Sequence, residues 1–264
     1  MSNIGLISLI SIVAISMPSF TVVAESPEEK GLAIAVEADL RDNGWQDSKV
    51  NLEMILRNAR GDENRRQMRL RSLEIDGDGD RSLTIFDTPP DIKGTGLLTF
   101  SHKVEADDQW LNLPALKRVK RIASKNKSGP FVGSEFAFED LSSQEVEKYR
   151  YKYLRDEMLD GQATFVIERY PLDKYSGYTR QTVWIDTEHY RLLKVDYYDR
   201  KNSLLKTLVS KDYVQYLDKY WRPGSMLMFN HQTKRSTELL WSNYEFATGL
   251  DENDFTRNSL QRAR

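Results

Sequence analysis

Residues 49–57, KVNLEMILR, decide the fold. Val50, Leu52, Met54 and Leu56 alternate with Asn51, Glu53 and Arg57, a period of two that gives a strand one dry face and one wet one. GDEN at 61–64 turns the chain, RQMRLRSLEI at 66–75 returns it, and DGDGD at 76–80 turns it again into 82–87. Further strands are predicted at 96–102, 109–113, 149–159, 162–170, 179–186, 192–199, 204–217, 225–233 and 237–246, with Asp160-Gly161 as a hairpin turn. No helical pattern of roughly 10–15 residues separates them, which argues against parallel βαβ units and for an antiparallel meander.

Before the first strand the period is helical. Ser26 is placed to cap, Pro27 suits the first helical position, and Glu29 completes a capping box. Leu32, Ala33, Val36 and Leu40 form an apolar stripe at helical spacing, and Asn43-Gly44 ends the run. Two short helical pieces are expected near 138–141 and 251–260. Upstream, Met1 to Ala24 contain no charged side chain, residues 4–17 are apolar, Pro18 breaks the run, and Val22-Val23-Ala24 offers small residues to a signal peptidase. The expectation is a signal peptide over 1–24, cleaved before Glu25, and one domain over 25–264; retention of the segment as an anchor is the alternative. No interdomain linker and no internal repeat is visible.

The chain has no cysteine, and hence no disulfide framework and no thiolate metal site. Its net charge is -2 with both signs interspersed, which argues against nucleic acid as the main partner. His102, His189 and His231 lie far apart and outside any metal-ligand spacing, and no nucleophile elbow or phosphate-cradling glycine loop occurs. Asp76, Asp78 and Asp80 imitate the start of a calcium loop, but Arg81 stands where that loop needs glycine and Asp87 where it needs glutamate; a tight turn explains the pattern better. No cofactor and no metal is expected.

Several stretches together resemble the outer membrane lipoprotein-sorting protein family and its LolA-like relatives: DRSLTIFD at 80–87 with PPDIKG at 89–94, WLNLPALKRVKRI at 110–122, FVGSEF at 131–136 with EDL at 139–141, WID at 184–186 with LKVDYYD at 193–199, and WRP at 221–223. The resemblance covers most of the chain after residue 24 and implies a mainly β, curved antiparallel half-barrel, with an N-terminal helix and short helices covering its concave face. It further implies a non-enzymatic periplasmic carrier of an acyl chain, lipid or acylated protein. The chain is longer than the family's classical carrier and looks like the subgroup often encoded beside RND-type inner-membrane exporters of lipids.

The concave face of such a sheet must be filled by side chains, a covering helix or a ligand. Phe86, Leu98, Phe100, Trp110, Phe165, Trp184, Trp221, Met226 and Met228 are the candidate ligand-facing set, with Phe229 and Trp241 beside them; ordinary core packing is the competing reading for each. Lys117, Arg118, Lys120 and Arg121 form the densest basic cluster. Two readings stand for it: contact with lipid phosphate or an acidic transporter face, or protection of a sheet edge. Function divides likewise into a mobile carrier and a fixed accessory subunit of an RND-type exporter with a side-chain-filled core. An enzyme acting on lipid or glycan is the remainder.

Overall fold

The computed structural model describes residues 25–262. The expected signal segment lies outside them, and among the described residues no helix is long and apolar enough to cross a membrane. Helix α1 spans Pro27–Asp42, with the capping box in place: Ser26 Oγ accepts from the Glu29 amide (3.2 Å) and Glu29 accepts from the Ser26 amide (2.8 Å).

Its buried face is not the stripe read from the sequence. Gly31, Ile34 and Ala35 are buried, while Leu32, Val36 and Leu40 are 45%, 38% and 59% exposed. The cause is close approach: a Cβ on Gly31 would stand 2.7 Å from the Tyr153 amide nitrogen. The helix therefore packs through its small residues, and its larger apolar side chains face outward.

Fifteen strands follow. The first six are β1 (Asp47–Arg57), β2 (Glu63–Leu73), β3 (Arg81–Thr88), β4 (Gly96–Phe100), β5 (Asp108–Leu113) and β6 (Arg118–Arg121). The rest are β7 (Tyr149–Leu159), β8 (Gln162–Pro171), β9 (Tyr178–Asp186), β10 (Leu192–Asp199), β11 (Leu204–Lys211), β12 (Val214–Tyr216), β13 (Tyr220–Arg222), β14 (Ser225–Asn230) and β15 (Ser236–Phe246). All but β12 and β13 join one antiparallel sheet of 13 strands, ordered β6-β5-β4-β3-β2-β1-β15-β14-β11-β10-β9-β8-β7. Two meanders are stitched together where β1 meets β15, with Leu52 opposite Trp241 and Met54 opposite Leu239. The sheet is open, β6 and β7 being its two edges.

Two strand expectations are corrected. The strand expected over 204–217 is broken: Asp212 takes φ +56°, Gly224 N donates to the carbonyls of both Lys211 and Asp212, and the chain leaves the sheet as the β12–β13 hairpin. The strand expected over 225–233 stops at Asn230, whose side-chain oxygen accepts from the amides of Gln232 and Thr233 and turns the chain. The basic run 118–121, for which protection of a sheet edge is one of two readings, is the edge strand β6.

The alternation of β1 holds: Val50, Leu52 and Met54 are buried on the inner face, in a core shared with Ile34 and Ala35 of α1 and with Ile167, Val183 and Val195 across the sheet. The segment 122–148 crosses that face and fills half of it. Phe131 is 1% exposed and packs on Phe86 and Phe138, at centroid distances of 5.6 and 5.7 Å. Polar anchors fix the segment: Gln109 Nε2 donates to the Phe138 carbonyl (2.9 Å), Lys206 Nζ to the Glu135 carbonyl (2.9 Å) and Asp140 (2.6 Å), and Tyr178 OH to Asp140 (2.8 Å). The C-terminal helix α2 (Arg257–Arg262) covers the opposite face, where Leu260 and Phe255 pack with Leu83, Ile85 and Leu98.

Candidate ligand-binding cleft

The half of the inner face left uncovered by segment 122–148 opens as a cleft of about 1400 Å³. Its floor is the inner side of β7 to β10, where Tyr151, Ile167, Val183 and Ile185 alternate inward and Leu192 adds a half-buried side chain. One wall is the second half of α1, from Ala35 to Asp42; the others are the turn 74–80, residues 143–146 and the β12–β13 hairpin. The packing of Gly31 against β7 sets how close that helix wall stands to the floor.

The rim is charged and ordered by its own pairs. Arg222 pairs with Asp42. Arg191 holds Asp186 at 2.8 Å and lies over the Trp221 ring at 4.8 Å, while His189 stacks on the same ring at 4.7 Å. Glu74 accepts from the Gly44 and Gln46 amides, at 2.6 and 2.8 Å, tying the end of α1 to the turn. Asp80 takes only a long hydrogen bond from Ser143 Oγ (3.3 Å) among side chains; burial, reinforced by Glu74 and Asp42, pushes its carboxyl up to about 6. Burial and then the neighbouring Asp80 charge push Glu145 up to about 7. Next to them, Asp78 meets His102 Nδ1 (2.8 Å) and the Lys103 amide (3.0 Å); against the opposing cost of burial, these bonds bring it down to about 2.

The ligand-facing set expected from the sequence is scattered. Trp221 alone lines the cleft. Phe86 and Met228 are wholly buried on the inner face, Phe86 in the filled half beneath Phe131. Met226 and Phe165 are half-buried against the same core, Phe165 meeting Tyr190 at 5.6 Å. Leu98, Phe100 and Trp110 lie on the opposite face with Phe255 and Leu260, and Phe100 meets Trp110 edge-on at 5.2 Å. Trp184 also points away from the inner face, donating to Glu157 (3.2 Å) beneath Lys194. None of Lys117, Arg118, Lys120 and Arg121 lines the cleft; Lys117 is a left-handed cap and the other three are on β6, with Arg121 paired to Asp108. The inward residues that do line it, Tyr151, Ile167, Val183 and Ile185, were legible as strand residues but carry no mark of their face.

A family model described as "-like: Uncharacterized protein" matches residues 78–262. Among solved structures, a domain assigned to outer membrane lipoprotein sorting from Vibrio parahaemolyticus is 62% identical over 89% of this chain and 100% of its own, with a TM-score of 0.88. The chain belongs to the outer membrane lipoprotein-sorting protein family. A DUF1329 family protein from Desulfovibrio piger is 30% identical over 89% of this chain and 99% of its own, at a TM-score of 0.85. A LolA superfamily protein from Nitrosomonas europaea, 19% identical, shares the fold at a TM-score of 0.70 over 87% of this chain and 98% of its own. No curated protein matches the sequence. The lipoprotein-sorting family thus accounts for the open sheet wrapped around α1, the LolA-like half-barrel expected from the sequence.

Proposed function

We propose that this protein is a periplasmic, non-enzymatic carrier that shelters an acyl chain of a lipid or acylated protein in the cleft beneath α1. The observation that carries this reading is the cleft itself, about 1400 Å³ in volume, with Tyr151, Ile167, Val183, Ile185 and Leu192 on its floor and a charged rim. A relative 62% identical is named for lipoprotein sorting. Burial of each methylene contributes about 0.8 kcal/mol, so a chain of ordinary length is held by apolar walls without specific polar contacts.

The test is binding of a fluorescent fatty acid to residues 25–264. Saturable binding, displaced by unlabelled lipid and weakened by Leu192→Glu in the cleft but not by Leu227→Glu, which is exposed on β14, supports the carrier. Binding that both variants leave untouched moves the cargo elsewhere. The filled half of the inner face favours a second reading, a fixed accessory subunit of an RND-type exporter; a stoichiometric complex with such a transporter and no lipid uptake would select it.

A further inference from the structure

Among the carboxylates that line the cleft are Asp39, Asp42, Glu74, Asp80 and Glu145, and four of these five have partners, Asp80 through Ser143 Oγ at 3.3 Å. Asp42 has Arg222, Glu74 has two backbone amides, and Asp39 accepts from Asn43 Nδ2 at 3.3 Å. Glu145 has none: it is 8% exposed, it lines the cleft, and among the described residues its carboxylate makes no hydrogen bond or ion pair. The groups facing it are Asp80 from the β2–β3 turn, Asp39 from α1, Lys103 after β4, and Lys148, which is committed to Asp107. Neither lysine reaches it within ion-pair distance. A carboxylate that has lost most of its exposure and has no donor from its own chain is stabilised by a donor that enters the cleft.

The surroundings say what that partner is. The described carboxylates and imidazoles form no group able to hold a metal ion. Apolar surface runs on from Glu145 among polar neighbours: Val146 follows it, Tyr151 OH donates to the Val146 carbonyl (3.2 Å), and Ile167 continues the floor, with Arg169 two residues further along the same strand. A group that brings several N–H donors fits this corner, because Glu145 has none and Asp80 takes only Ser143 Oγ at 3.3 Å and a backbone hydrogen bond from Ile75; a primary ammonium has three, a quaternary ammonium none.

We infer that the Glu145 and Asp80 corner binds the primary ammonium of an amphiphile whose aliphatic chain lies on the floor formed by Tyr151 and Ile167. This rests on the carrier reading and names its substrate class: an acylated amine. The amine belongs either to a lipid headgroup or to an acylated peptide.

The test is calorimetric titration of residues 25–264 at pH 8 with decylamine, decanol and decyltrimethylammonium, below their aggregation concentrations. Decylamine should bind at least about tenfold tighter than the other two, the worth of one charge-assisted hydrogen-bonded pair. Glu145→Gln and Asp80→Asn should each erase that preference and leave decanol affinity unchanged. Glu145→Gln removes an unpaired charge and should fold at least as stably as the parent, so a failure of Asp80→Asn to fold leaves the test intact. Equal affinities, or a preference that survives both variants, overturn the ammonium site while decanol binding upholds the carrier; no binding of any of the three overturns both. Lysophosphatidylethanolamine and a side-chain-acylated dipeptide with a free N-terminal amine then separate the sources. A preference lost in Glu145→Gln for one of them identifies it, and for neither overturns the inference.

Discussion

Glu145 and Asp80 make stability depend on pH with a definite sign. Both are raised in the folded chain, to about 7 and about 6, chiefly by burial. A carboxyl whose folded pKa lies above its unfolded value binds more protons folded than unfolded between the two, so stability falls as pH rises through that window. Glu139, raised to about 7 by burial and the adjacent Asp140, acts in the same direction. Urea unfolding of the ligand-free protein should therefore give a higher midpoint at pH 5 than at pH 8, with the difference reduced in Glu145→Gln. A midpoint that rises over this range would contradict the assignment. Below that window Asp78, held down to about 2, acts oppositely, losing its contribution as pH falls from its ordinary value through 2. None of this was legible in the sequence beyond the DGDGD turn that holds Asp78 and Asp80: Glu145 stands in an irregular segment, and its burial depends on contacts far away along the chain.

At the scale of elements, α1 and segment 122–148 divide the inner face between them. Gly31→Ala places a Cβ against the backbone of Lys152 and Tyr153, and α1 must lift from β7. Overpacking of this kind costs about 1–3 kcal/mol, seen as a lower unfolding midpoint, and it should also change ligand affinity because the cleft wall moves. Phe131→Ala leaves a void beside Phe86 and Phe138 and should cost about 3–5 kcal/mol in denaturant unfolding. Lys206→Met takes the cation away from buried Asp140, which keeps only its hydrogen bonds from Tyr178 OH and the Ala137 amide, with an expected loss of about 3–5 kcal/mol in denaturant unfolding. The strand periods and the capping box could be read from the sequence because period and cap are local chemistry. The packed face of α1 could not, since apolar volume marked Leu32, Val36 and Leu40, whereas the contact is decided by the absence of a side chain at Gly31. Edge strand β6 was legible only as one of two readings of its basic run, because the charge that guards a sheet edge is also the charge that would meet an acidic partner.

Across the whole molecule, the meander and its open sheet follow from turn chemistry and alternation, and the family resemblance gave the half-barrel. Which of two alternating faces turns inward is a property of the closed arrangement, not of any one strand. Leu98, Phe100, Trp110 and Trp184 accordingly lie away from the cleft although each has the character of a pocket residue. The outcome is a sheet half filled by its own chain and half open, with the open half combining an apolar floor and a charged rim. The most direct test of this carrier architecture is native mass spectrometry with lipid extraction, on residues 25–264 isolated from the envelope of the native host. The account predicts an acyl-bearing species released from the protein and absent from the Leu192→Glu variant; a ligand-free mass that persists after incubation with envelope extract would contradict it.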